Sequence, residues 1–244
     1  MSDRERVQLE RAYILHQRSY RNSSQLLNCL AENHGLLTLV AQGSRRSNTG
    51  QRAVLQPFLP LRLSWVRRGE LGRLTHAELE PPARELSGRS LLAGYYLNEL
   101  LLRLLAAGDP NAAIFSCYSE CLSDLANSTG MPRALRIFEF RLLQALGYGV
   151  ELDHDVETGE PIQPERTYRY EAERGACASA TSGAGDDMYL GRDLIALRDG
   201  SLGDEQSLRA AQRLLTRVLD SYLGERPLRT RTVMRDIVSR GLEP

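Results

Sequence analysis

Five arginines, Arg45, Arg46, Arg52, Arg67 and Arg68, have the type and spacing to do chemistry in this sequence. The first three lie in or beside the stretch GSRRSNTGQR, where Gly43, Gly50, Ser44, Ser47, Asn48 and Thr49 supply turn residues. No acidic residue occurs between Glu32 and Glu70, so no local carboxylate neutralises these cations. A guanidinium presents a planar fork of donors that matches phosphate oxygens. An uncompensated group of them therefore points to an external polyanion, and nucleic acid is the expected partner. Arg21 adds a further cation and Phe58 a ring on which a base would stack, which completes the expected DNA-binding set. From composition alone, a merely solvated basic face fits equally well.

Other candidate groups read as structure. Cys117 and Cys121 are four apart, a spacing that can bind metal, but they share an apolar stripe with Ile114 and Leu125 and are expected to be packed. Asp153, His154 and Asp155 read as a solvated acidic loop, and His16, His34 and His76 are isolated. No nucleophile elbow and no paired carboxylates at a defined spacing occur, so no catalytic residues and no metal or other cofactor are expected. All 31 basic residues are arginine. Enzymes that need a lysine, such as Walker-type NTPases, Schiff-base enzymes and lysine-adenylating ligases, are thereby excluded.

The elements that must position these residues follow from periodicity. Apolar runs at 11–16, Leu26–Ala31 and Leu36–Ala41 predict three strands, with QRSYRNSS as a turn after the first. Leu55–Val66 alternates, with Leu59, Leu61, Leu63 and Trp65 on one face, and predicts a fourth. Arg67–Glu70 turns into a fifth, Leu71–Leu79. Five short strands in some 70 residues predict a small closed barrel of the OB-fold kind. Pro81 and Pro82 end that pattern. Helices are predicted over Ser90–Ala107, around Ile114–Leu125, from Pro132 to Leu146, over Leu194–Leu197 and over Ser207–Leu223. The expected fold is α+β: an N-terminal five-stranded OB-fold barrel at 1–80, then a helical domain at 81–244 with an irregular acidic insertion at about 150–190, strand-like only at TYRYE, and a short last helix opening in RPLRTRTVMR.

Net charge is zero over 244 residues, but the charge is segregated. Ten Arg face two acids between Arg11 and Arg73, and fourteen acids face five Arg between Glu151 and Glu205. The N-terminus lacks an apolar signal region, and the longest apolar run, Leu91–Leu97, is far short of the roughly 20 residues of a membrane span. Four scattered cysteines in a chain of this size suit a reduced compartment, so a cytoplasmic protein without membrane contact is expected.

The motifs RAYILHQRSYRNSSQLL, HGLLTLVAQGSRR, AVLQPFLPLRLSW, GELGRL, YYLNELLLRLL, LRIFEFRLLQALGYG, TGEPI and YLGERPLRTRTVMRDI, in this order over residues 9–238, resemble the bacterial DNA repair and recombination protein RecO family. The resemblance implies an OB-fold followed by a helical domain, binding of single- and double-stranded DNA, strand annealing, and contact with RecR and the C-terminal tail of single-strand binding protein. It further implies help in loading RecA, in a cytoplasmic, nucleoid-associated setting. The tail, acidic with an apolar end, is expected on the helix at 132–146, where Leu135 and Leu142 lie beside Arg133 and Arg136. Two departures stand out. Gln42 replaces a lysine common after the third strand. Of the four-cysteine zinc module that many relatives carry after LGYG, only Cys177 is present, so no zinc is expected. A rival reading is a structural adaptor bridging RecR and single-strand binding protein with little DNA affinity.

Overall fold

The computed structural model describes residues 5–44, 51–83, 85–127, 130–148, 150–172, 174–179, 185–224 and 226–233, with no side-chain description for 51 and 52. Five strands, β1 (Glu5–Tyr20), β2 (Ser24–Ala31), β3 (Gly35–Ala41), β4 (Leu61–Arg68) and β5 (Leu71–Leu79), close into a barrel in the order β1-β2-β3-β5-β4. β4 returns to β1, and β3 with β5 is the parallel pair. Alternation makes the interior: Leu27, Cys29 and Ala31 face Leu37, Leu39 and Ala41, and Leu61, Leu63 and Trp65 complete the core. The expected OB-fold barrel is therefore present.

Two strand expectations change. β1 extends well beyond 11–16 at both ends, and only Arg21–Ser23 form the turn. The run from Leu55 to Pro60 is not strand. A short helix α1 (Gln51–Val54) precedes it, and β4 begins only at Leu61. Pro57 and Pro60 have no N–H to give a ladder, and Phe58 adopts φ +70, outside strand geometry.

Two helices, α2 (Gly88–Leu104) and α3 (Ala112–Ala126), follow the barrel. Asn111 caps α3 by accepting the Ile114 N–H at 3.1 Å. They cover the outer side of β1: Tyr13 meets the rings of Phe115 and Tyr118, and Asn98 donates to the Leu15 carbonyl at 2.7 Å. Tyr118 donates in turn to Asn98 at 2.6 Å, so this buried relay is satisfied. Glycine is required at position 35. Its φ is +63, and a β-carbon there would lie 2.2 Å from the Asp109 carbonyl oxygen. This close approach lets Gly108 donate to the Leu36 carbonyl at 2.8 Å, so the segment after α2 runs beside the start of β3.

Contacts divide the chain into two compact units, Met1–Asn127 with Leu228–Pro244, and Ser128–Pro227. The second holds α4 (Met131–Ala145), strands β6 (Thr167–Glu171), β7 (Gly175–Ala178) and β8 (Met188–Leu190), and helices α5 (Gly191–Arg198) and α6 (Glu205–Leu223). The acidic stretch expected to be irregular carries a three-stranded sheet in the order β7-β6-β8, whose middle strand β6 is the strand-like TYRYE. β7 and β8 are four and three residues long, too short for alternation to show. Asp204 caps α6 by accepting the Ser207 N–H at 2.8 Å, and Leu214, Leu215, Val218 and Leu219 form its buried face.

Candidate nucleic-acid interface

Arg45 and Arg46 lie outside the described residues. Arg52 falls on α1, which packs against β5, and its side chain is also outside them. The entry to their loop is well anchored: buried Ser44 donates to Gln25 at 2.9 Å and to the Ala41 carbonyl at 3.1 Å. Arg67 is already engaged, its Nε donating to Glu5 at 2.8 Å. Arg68 is exposed, without an ion-pair partner among the described residues. Arg21 sits in the β1–β2 turn at φ +51 with its guanidinium 5.1 Å from the Tyr20 ring centre. Phe58 is not a stacking platform. It is 7% exposed, edge-on to Tyr95, and a β-carbon on Gly94 would come within 2.9 Å of its ring. The physical reason is the positive φ, which turns the ring onto α2 and away from solvent.

The register reveals two cations that the sequence reading left out. Arg6 on β1 pairs with Val66 on β4, Val66 pairs with Arg73 on β5, and Arg73 pairs with Val40 on β3. These residues form one row across four strands on the outside of the barrel. Arg68, two residues beyond Val66, points to the same side. Arg6, Arg68 and Arg73 are all exposed and lack ion-pair partners among the described residues. The acids of β1 are turned elsewhere: Glu5 onto Arg67 and His34, Glu10 onto His34 and the Asn33 N–H. The alternation around Arg73 was a usable signal, since its neighbours Gly72 and Leu74 point inward. Arg6 had none, because its segment was not recognised as strand.

On α4 the four residues expected to hold a partner's tail are brought together, but mostly face inward. Leu142 and Leu135 are buried. Arg136 is 11% exposed and bound to Glu139, itself 1% exposed, at 2.5 Å. Its planar fork is directed at this chain's own carboxylate. Arg133 is exposed, with Nε and Nη2 donating to the Gly200 carbonyl at 3.1 and 2.7 Å.

The loop expected to be solvated at Asp153–Asp155 is not uniformly so. Asp155 is 2% exposed and accepts the N–H groups of Glu157, Thr158 and Ala178. Desolvation, with help from Glu157 and Asp155, pushes the Cys177 thiol up to about 11, so it stays protonated at neutral pH. A four-ligand zinc site needs four Cys or His groups together, and no cluster of three or more His, Cys, Asp or Glu side chains able to hold a metal occurs among the described residues.

A closed β1-β2-β3-β5-β4 barrel with exposed arginines on its outer face, extended by helices, defines an OB-fold protein with a cationic surface. Family models for the N-terminal and C-terminal parts of recombination protein O match residues 6–82 and 86–232. Proteins named DNA repair protein RecO are similar along nearly their whole length. That of Methylococcus capsulatus is 43% identical over 96% of this chain and 95% of its own. That of Nitrosospira multiformis is 38% identical over 96% and 97%, and that of Haemophilus influenzae 40% over 92% and 94%. The chain belongs to the RecO family. Membership supports a role in DNA repair and recombination. No helix among the described residues is long and apolar enough to cross a membrane.

Proposed function

We propose that this chain is a non-enzymatic DNA-binding recombination mediator. It binds single- and double-stranded DNA, anneals complementary strands, and with RecR helps load RecA onto strands coated by single-strand binding protein. It does so in the cytoplasm, at the nucleoid. The observation that carries the DNA-binding part is the set of Arg6, Arg68 and Arg73 on one barrel face, with no ion-pair partner among the described residues. Three such exposed guanidiniums within reach of one another suit successive backbone phosphates. The contacts with RecR and with the tail of single-strand binding protein rest on family membership. Of the two α4 arginines expected to meet a tail carboxylate, Arg136 is turned onto Glu139 and Arg133 stays exposed.

The rival reading, an adaptor bridging RecR and single-strand binding protein with little DNA affinity, is favoured by the engagement of Arg67 and Arg136 in internal pairs. A salt titration separates the two. Three to five phosphate contacts give a log–log slope of roughly −2 to −4 on single strands, at about −0.7 per contact. An affinity that is negligible at low salt, or flat with salt, would favour the adaptor.

A further inference from the structure

We propose that single-stranded DNA crosses the outer face of β1, β4 and β5, with one base seated in a groove where the bulges of these strands meet and its flanking phosphates on Arg6 and Arg73. The proposal rests on the DNA-binding reading and specifies its path.

Two irregularities face each other on this side of the barrel. The β1–β4 register shifts between Val7 and Glu10, and the β4–β5 register shifts between Ser64 and Trp65. They are joined by a hydrogen bond: the Leu9 N–H donates to Ser64 Oγ at 3.0 Å, and the Leu9 carbonyl accepts from Arg62 at 3.3 Å. Leu9 is held at φ +48, a region disfavoured for a residue with a branched side chain, and stands 47% exposed. Strained backbone and bulges concentrate where a structure re-aims side chains for a ligand. Here they open a groove of about 400 Å³ lined by Arg6, Gln8, Leu9, Ser64, Thr75 and His76. That volume is of small-ligand size.

The lining matches an unstacked nucleotide. Leu9 and the exposed His76 ring, steadied 3.2 Å from Glu78, offer an apolar and a π surface for a base. Gln8 and Thr75 offer groups to its polar edge, and Arg6 stands at the lip. Arg73 is two strands away, roughly 10 Å at about 4.8 Å per strand. That is a span two extended arginines can hold on one backbone. A duplex presents no free base face to such a groove, so the single strand is the ligand.

The alternative route on an OB-fold, over the outside of β2 and β3, is partly closed here. Leu26 and Leu30 on β2 are buried outside the barrel core, and α2 and α3 cover β1 beside them.

The test uses the full chain and a labelled single-stranded oligothymidylate. Arg6→Ala with Arg73→Ala is expected to reduce the magnitude of the salt slope by about 1.4, two contacts at about 0.7 each. Leu9→Ala with His76→Ala is expected to weaken binding several-fold with the slope unchanged. In the unmodified protein, an iodouracil-containing strand is expected to cross-link within 6–9 or 75–76, a readout that does not depend on any variant folding. Parent-like affinity and slope in both variants, with cross-links elsewhere, would overturn the path while leaving DNA binding intact. A parent protein that binds no DNA would overturn both. Loss of an acidic peptide's binding in the variants, with DNA binding unchanged, would assign the face to a protein segment and overturn the proposal.

Discussion

At the scale of single residues, arginine has two different uses in this chain. Arg6, Arg68 and Arg73 stay in solvent without ion-pair partners among the described residues, whereas Arg136 is drawn into the second unit against buried Glu139. Breaking a buried pair leaves its partner carboxylate less well compensated. Arg136→Ala should therefore destabilise the fold by about 3 kcal/mol in denaturant unfolding. An unchanged unfolding midpoint would show that Arg136 is not structural and return it to the pool of partner contacts. Such pairing was not legible in the sequence. Arg133 and Arg136 look alike on a helical wheel, and only the packing around Glu139 distinguishes them. Asp155 teaches the same lesson. In a run of acids it looks solvated, yet it organises its loop through three backbone donors.

At the scale of elements, the five barrel strands could be read because each alternates or carries an unbroken apolar run over part of its length, and α3, α4 and α6 show clean stripes. What escaped was geometry that side-chain pattern does not encode. The bulge at Leu9 breaks the alternation of β1, which hid the strand's first half and with it Arg6. The alternation of Leu59, Leu61, Leu63 and Trp65 concealed a turn at Phe58, although Pro57 and Pro60 marked a break there. In the second unit TYRYE reads as a strand and is β6, whereas β7 and β8 are too short for a period to register.

One element-scale contact joins residues far apart in sequence. Glu99 on α2 accepts the N–H groups of Arg229 and Thr230 at 2.8 and 2.9 Å, and the Thr230 hydroxyl at 2.6 Å. It thereby caps the helical residues 229–233, while Arg231 lies over the Tyr96 ring. Burial pushes the Glu99 pKa up, but the hydrogen bonds from Thr230 and Arg229, with Arg103 nearby, hold it below the ordinary carboxylate value. A depressed folded pKa stabilises above the unfolded value of about 4.3 and is lost as the pH falls through the lower folded value. Glu99→Gln should cost about 1 kcal/mol, as loss of a cap does, and should expose the Arg229 and Thr230 amides to hydrogen exchange at neutral pH. Acidifying the parent protein should do the same. Equal protection in both proteins would mean that the segment is held by Leu228 and Arg231 alone.

At the scale of the whole molecule, charge segregation follows the two compact units. The arginine-rich stretch from Arg11 to Arg73 belongs to the first, and the acidic stretch from Glu151 to Glu205 to the second. Zero net charge therefore conceals one unit suited to a polyanion and one suited to cationic partners. The proposed mediator role needs no chemical step. It would require the chain to hold a strand by its backbone, release it as pairing proceeds, and leave the bases free to find their complements. The most direct measurement is the annealing rate of two complementary strands, followed by fluorescence in chelator and without nucleotide. Marked acceleration by the parent protein is expected, suppressed by raised salt and by Arg6→Ala with Arg73→Ala. No acceleration over spontaneous pairing, or an acceleration insensitive to both salt and these substitutions, would contradict it.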